Sequence, residues 1–209
     1  MAQQLTLYTN PMSRGQIARW MLEEVGAPYE TVILDYADDM KAPDYLAINP
    51  MGKVPTIVHD GKVVTECAAI CAYLADAFPA ANLAPALGER HAYYRWLFFA
   101  AGPVESAVTN KAMGFVVPDG KERSAGYGSF DGTIDALETA VSGDAWICGD
   151  RFTAADVYVG AQVDWGMSFK TIPPRPAFEA YAARLRERPA YKRQKEIDGA
   201  LIAAMQKKG

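Results

Sequence analysis

The spacing of apolar positions changes part-way along the chain. Up to about residue 79, short β-branched runs alternate with stripes of helical period, and after about residue 88 only the helical stripes continue. Leu5 to Tyr8 predicts a first strand. Ile17, Trp20, Met21 and Leu22 then share a helical face, and Gly26 stands where such a helix would stop. Thr31 to Leu34 predicts a second strand, and the order strand, helix, strand favours a parallel pair. Two further runs, Thr56 to His59 and Lys62 to Val64, flank Asp60-Gly61, a pair suited to the two-residue turn of an antiparallel hairpin. A helix from Glu66 to about Phe78 follows, with Ile70, Tyr73 and Leu74 on one face and Pro79 beyond its end.

The pattern predicts an α/β domain with a small mixed, four-stranded sheet over residues 1–79, a linker over 80–88 and an all-helical domain over 89–209. The linker reading rests on the Ala- and Pro-rich composition of Pro79 to Gly88. From Glu89 a long helix runs through Tyr93, Trp96, Leu97 and Phe99, and Pro103 is expected to bend it by removing a hydrogen bond. Gly120, Gly126, Gly128 and Gly132 predict a mobile loop or a poorly wound helix start. Thr153-Ala-Ala-Asp156 fits a capping box, with Phe152 and Val157 as its hydrophobic staple, which gives Asp156 a structural role.

Composition narrows the function. Half of the 209 residues are hydrophobic and 22% are charged, as in an ordinary globular protein. A formal charge of -4 argues against nucleic acid and anionic membranes as partners. The opening residues lack the basic head and apolar run of a leader, and no run approaches the ~18 apolar residues that span a bilayer, so a cytoplasmic location is expected. Cys67, Cys71 and Cys148 are too few for a disulfide framework. With only two histidines, His59 and His91, there is little material for a structural metal site, and both are expected at the surface.

The stretch from Asn49 to Cys67 carries the first chemical signal. Proline pushes its predecessor into extended backbone, so Val54 is expected to offer its N–H and C=O to a partner. The fresh N–H groups of the helix opening near Thr65 suit a carboxylate. Together they describe a site for an extended, anionic peptide. Ser13-Arg-Gly-Gln16 matches a capping box for the first helix. Tyr8, within the first strand, reads as a packing residue, Glu66 as an acid favourable in a first helical turn, and Lys53 as a solvated loop residue.

Several segments, in order, resemble the cytosolic glutathione transferases of the bacterial type. They are Leu5-Thr-Leu-Tyr8 leading to Ser13, Arg19-Trp-Met-Leu-Glu-Glu24, Asn49-Pro-Met-Gly-Lys-Val-Pro55, Thr65-Glu-Cys67 through Tyr73-Leu74, and Cys148-Gly-Asp-Arg-Phe-Thr-Ala-Ala-Asp156. The resemblance implies a thioredoxin-like N-terminal domain that binds glutathione and a helical domain that supplies the pocket for an apolar electrophile. It also implies a homodimer, a detoxifying role and no tightly bound cofactor, glutathione being a co-substrate. In that scheme Val54 holds the cysteinyl backbone beside a cis Pro55. Glu66 receives the γ-glutamyl ammonium, the N–H of Cys67 its carboxylate and Lys53 the glycine carboxylate, while Asn10 belongs to the same glutathione site. Position 67 departs from the usual serine, and a thiol is a weaker donor than a hydroxyl.

The chemistry implied is thiol activation. Ser13 is the first candidate to stabilise the thiolate, ahead of Arg14 through its fixed charge and Tyr8. Tyr94, Phe98, Met113 and Trp165, with Gly102, Phe115 and Phe169, are the candidates for the electrophile pocket, expected between the domains. A glutathione-dependent isomerase, dehalogenase or peroxidase, or a non-catalytic binding module, remains compatible with the same residues. Disulfide exchange is disfavoured, since serine at position 13 forms no mixed disulfide.

Overall fold

The structure, a computed structural model, describes residues 4–207, so Met1 to Gln3, part of the opening read as lacking a leader, lie outside it. Contacts divide the chain into two compact units, Met1–Asn82 with Glu187–Gly209, and Leu83–Arg186.

The first unit is built on β1 (Leu5–Thr9), β2 (Glu30–Ile33), β3 (Thr56–His59) and β4 (Lys62–Thr65), in the order β2-β1-β3-β4. β1 pairs parallel with β2 and antiparallel with β3, and β3 pairs antiparallel with β4. The hairpin forms at Asp60-Gly61, where φ is 48° and 77°, the double positive that this turn requires. α1 (Gly15–Val25) ends at Gly26 in the left-handed conformation, φ 67°, where glycine meets no Cβ penalty. α3 (Cys67–Ala77) packs on α1, and Leu7, Ile57, Ile70 and Leu74 are fully buried. A shorter α2 (Pro43–Ile48), which the sequence reading does not isolate, buries Tyr45 against Leu34 and Met40.

The second unit contains α4 (His91–Phe99), α5 (Glu105–Ala112), α6 (Phe130–Val141), α7 (Ala154–Ser168) and α8 (Pro176–Arg186). Between α4 and α5 the helix widens into a π segment, Ala100–Val104, that contains Pro103, so the missing N–H is absorbed by a change of winding. The glycine-rich stretch ahead of α6 is made of turns, and Ser129 caps the helix by accepting the N–H of Gly132 at 3.1 Å. At the start of α7 the Asp156 carboxylate accepts from Thr153 N–H and Ile147 N–H, both at 2.8 Å, and from the Tyr181 hydroxyl at 2.6 Å. Burial pushes its pKa up, against these donors.

The last helix, α9 (Pro189–Gln206), falls within the 89–209 block of the sequence reading, yet its contacts group it with the sheet. Its Asp198 pairs with the buried Arg19 of α1 at 2.9 Å, its Tyr191 meets Trp20 edge-on at 5.0 Å, and Arg193 reaches Glu23. These partners lie far away in sequence, which is why helical periodicity does not reveal the grouping.

Candidate active site

Strand register brings three stretches to one end of the sheet. Tyr8 is paired with Thr56, and Thr56 with Thr65. The turn after β1 that carries Asn10, Ser13 and Arg14, the Lys53-Val54-Pro55 segment that enters β3, and the Glu66-Cys67 step that leaves β4 therefore meet at the same end.

The first stretch is held by its own side chains. Asn10 is buried; its amide donates to the Leu34 carbonyl at 2.8 Å and its side-chain oxygen accepts the Met12 N–H at 3.0 Å. These two contacts brace the loop. The Ser13 hydroxyl donates to the Asn10 carbonyl at 2.6 Å and accepts the Gly15 N–H at 2.9 Å, so it caps α1. Gln16 does not complete the box: its amide donates to the Pro11 carbonyl. Gly15 is required here, because a Cβ would lie 1.8 Å from the Thr9 hydroxyl. Arg14 is exposed beside this helix start. Tyr8 is half-buried, with its ring 5.7 Å from that of Tyr45.

In the second stretch the Val54–Pro55 bond is cis. Val54 packs against the Leu34, Met40 and Tyr45 cluster, while its N–H and C=O have no hydrogen-bond partner among the described residues. The preceding carbonyl, that of Lys53, is gripped twice, by the Tyr45 hydroxyl at 2.6 Å and by the Asn49 amide at 2.8 Å. Gly52 has φ 57°, and a Cβ there would lie 2.5 Å from the Met40 carbonyl oxygen. The Lys53 side chain is exposed.

In the third stretch Glu66 is exposed and adopts φ 64°, ψ 119°, a strained combination for a residue with a side chain. Cys67 opens α3 and its thiol lies 3.5 Å from the Arg14 carbonyl. Cys71 is fully buried; burial, and then the neighbouring Cys67, push its thiol well above the ordinary range, as suits a packing residue.

The electrophile candidates lie in the helical unit. Tyr94 and Phe98 share a face of α4 and are 44% and 73% exposed, and Met113, at the end of α5, is 65% exposed. Trp165 is half-buried and meets Phe169 edge-on at 5.5 Å. Expected at the surface, His59 is buried instead, stacked on Phe78 and hydrogen-bonded to the Tyr73 hydroxyl at 2.9 Å. His91 is exposed.

Sequence reasoning missed the braces behind Val54. Asn49 carried a usable signal, since an Asn that accepts the N–H two residues on makes a recognisable turn, here with Met51 at 3.1 Å. Tyr45 and Thr56 carried none.

Two family models match the chain: "Glutathione S-transferase, N-terminal domain" over residues 3–76 and "Glutathione S-transferase, C-terminal domain" over residues 120–184. The glutathione S-transferase-like protein gedE of Aspergillus terreus is 31% identical over 168 residues, covering 73% of each chain. The chain belongs to the glutathione S-transferase family. Glutathione S-transferase GstA of Escherichia coli O157:H7 is 28% identical over 207 residues, 95% of this chain and 98% of that protein. Among solved structures, the glutathione transferase URE2P6 of Phanerochaete chrysosporium, in complex with oxidized glutathione, superposes with a TM-score of 0.78. Its identity is 26%, over 95% of this chain and 97% of that one. The thioredoxin-like sheet and helical block of this transferase are those of the family.

Proposed function

We propose that this transferase binds glutathione at the end of the sheet, lowers the pKa of its thiol and conjugates it to small, largely apolar electrophiles. The observation that carries the reading is the open backbone edge of Val54, beside a cis proline and at the same end as two helix openings. The cysteinyl residue of glutathione would pair with Val54 in an extended conformation. Its γ-glutamyl ammonium would meet Glu66, its γ-glutamyl carboxylate the N–H of Cys67, and its glycine carboxylate Lys53. Relatives named as glutathione transferases, and the URE2P6 structure in complex with oxidized glutathione, support glutathione as the ligand.

The thiol is the reacting group. Ser13 would donate to the thiolate by turning its hydroxyl hydrogen from the Asn10 carbonyl, while still accepting the Gly15 N–H. Arg14 adds a fixed charge at the same helix start. The thiol proton leaves to solvent, the sulfur attacks the electrophilic carbon, and the leaving group departs with the bonding pair. A depression of one to two pH units, about 1.4 to 2.7 kcal/mol, would raise the thiolate fraction severalfold to tenfold or more. Tyr94, Phe98, Met113 and Trp165 are assigned to the electrophile. We also propose a cytoplasmic, homodimeric, detoxifying enzyme; among the described residues no helix is long and apolar enough to cross a membrane.

The test is titration calorimetry with glutathione, followed by turnover of a chromogenic aryl halide. Saturable binding with turnover is expected. Binding without turnover on aryl halides, alkyl halides or peroxides would leave a non-catalytic module, and no binding at millimolar glutathione would remove the reading.

A further inference from the structure

Leu7 and Tyr8 point to opposite faces of the sheet, and Tyr8 faces α2. On that face a recess of about 250 Å³ opens, walled by Tyr8, Leu34, Tyr45 and Ile48. Ala42 completes the wall, and Asp39 and Asp44 bring carboxylates to it. Among the described residues no lysine or arginine lines it. Asp39 accepts the Asp35 N–H at 3.1 Å, and neither carboxylate has an ion-pair partner among the described residues.

The chemistry of this lining is selective. Two tyrosine rings, tilted at 36° to each other, stand in the wall, and aromatic rings attract cations and give no advantage to anions. Leu34 and Ile48 favour an apolar body, and two carboxylates without counter-charges favour a positive head. Neutral apolar compounds would gain only the first part of this and anions would be repelled.

We infer that this recess is a binding site for an organic ammonium ion with an apolar body. The body lies against Leu34 and Ile48, and the cation rests on the Tyr8 and Tyr45 rings, facing Asp39 and Asp44. The site shares Tyr8, a candidate for thiol activation, with the glutathione reading, and Val54 packs on the same Leu34, Met40 and Tyr45 cluster. Ammonium binding is read without glutathione present, so its failure and that of the glutathione reading are distinguishable.

The experiment is an NMR titration of the full chain with benzyltrimethylammonium chloride, using benzyl alcohol as the neutral counterpart. Saturable shifts at Tyr8, Leu34, Tyr45 and Ile48 are expected, with binding at least tenfold tighter for the ammonium ion and weakened by added salt. The paired substitution Asp39→Asn with Asp44→Asn, at two exposed positions, should weaken the ammonium at least fivefold and leave benzyl alcohol unchanged. Equal affinity for the two probes overturns the inference. So does ammonium binding that neither salt nor the paired substitution alters, or shifts confined to other residues.

Discussion

The Cys67 thiol lies 3.5 Å from the carbonyl oxygen of Arg14, so the residue that opens α3 is hydrogen-bonded to the residue that precedes α1. Both helix starts belong to the proposed glutathione site, and their spacing depends in part on this contact. A thiol is a weak donor, and a neutral hydrogen bond contributes about 0.5–1.5 kcal/mol net. Cys67→Ser is expected to strengthen the link and to offer a better donor to a ligand carboxylate, tightening glutathione binding about 2- to 5-fold. Cys67→Ala keeps the backbone N–H and should weaken binding only slightly. Calorimetry on the three proteins decides; a serine variant that binds more weakly than wild type would mean the thiol itself is the preferred contact.

Glu66 carries the clearest conflict between stability and function. Its φ of 64° is unfavourable for any residue with a Cβ, at a cost of about 1–3 kcal/mol. Glu66→Gly should raise unfolding free energy by about 1 kcal/mol. It should also remove the proposed partner of the γ-glutamyl ammonium and weaken glutathione about tenfold, equivalent to about 1.4 kcal/mol. Glu66→Ala should lose the same affinity without the gain in stability. Urea denaturation and calorimetry separate the two effects, and a glycine variant less stable than wild type would contradict the strain argument.

Local codes made much of the fold legible and non-local ones did not. Asp60-Gly61, Gly26 and the Thr153 to Asp156 box each define a turn or cap within a few residues, and all three appear where the sequence predicts. Asn10 enters the sequence reading only through the resemblance, and no local pattern announces that its amide donates 24 positions away to the Leu34 carbonyl. His59 reads as a surface residue before a turn until Tyr73 and Phe78 close over it. α2 is only six residues long, too short for periodicity to reveal, so the Tyr45 hydroxyl it sets behind Val54 was not legible, whereas Asn49, just past its end, carried a turn signal. The backbone at Val54-Pro55 and the helix start at Glu66-Cys67 were legible because proline and a helix start constrain the chain directly.

Ser13 braces the start of α1 and is proposed to activate the thiol, and substitutions can divide the two roles. Ser13→Ala removes the acceptor for the Gly15 N–H, which should cost about 1 kcal/mol of stability. If its hydroxyl also stabilises the thiolate, the apparent pKa of bound glutathione should rise by about one pH unit, with little change in affinity. Thiolate absorbance against pH on the saturated enzyme measures this, and an unmoved curve would hand the role to Arg14 or Tyr8. Gly15→Ala provides the contrast. Its Cβ would meet the Thr9 hydroxyl and push the loop outward, so about 1–3 kcal/mol of stability and glutathione affinity should fall together.

Arg19 and Asp198, each with a side chain only 2% exposed, join α1 to α9 through a buried ion pair. Gln194 donates to the second carboxylate oxygen at 2.7 Å, and Arg19 donates to the Tyr29 hydroxyl at 3.1 Å. Removing one partner leaves an uncompensated buried charge, so Asp198→Ala should cost about 3–5 kcal/mol, whereas Arg19→Met combined with Asp198→Leu should cost much less. The same cluster predicts an alkaline limb. Burial, then the hydrogen bond to Glu23, push Tyr29 up to about 12 from the ordinary phenol value of 10.0. The unfolded phenol loses its proton first, so this group's contribution is complete below about pH 10 and declines as pH rises toward about 12. Tyr29→Phe should flatten the fall of stability across that window, measured as urea midpoints against pH. An undiminished slope in the variant would show that Tyr29 does not carry it.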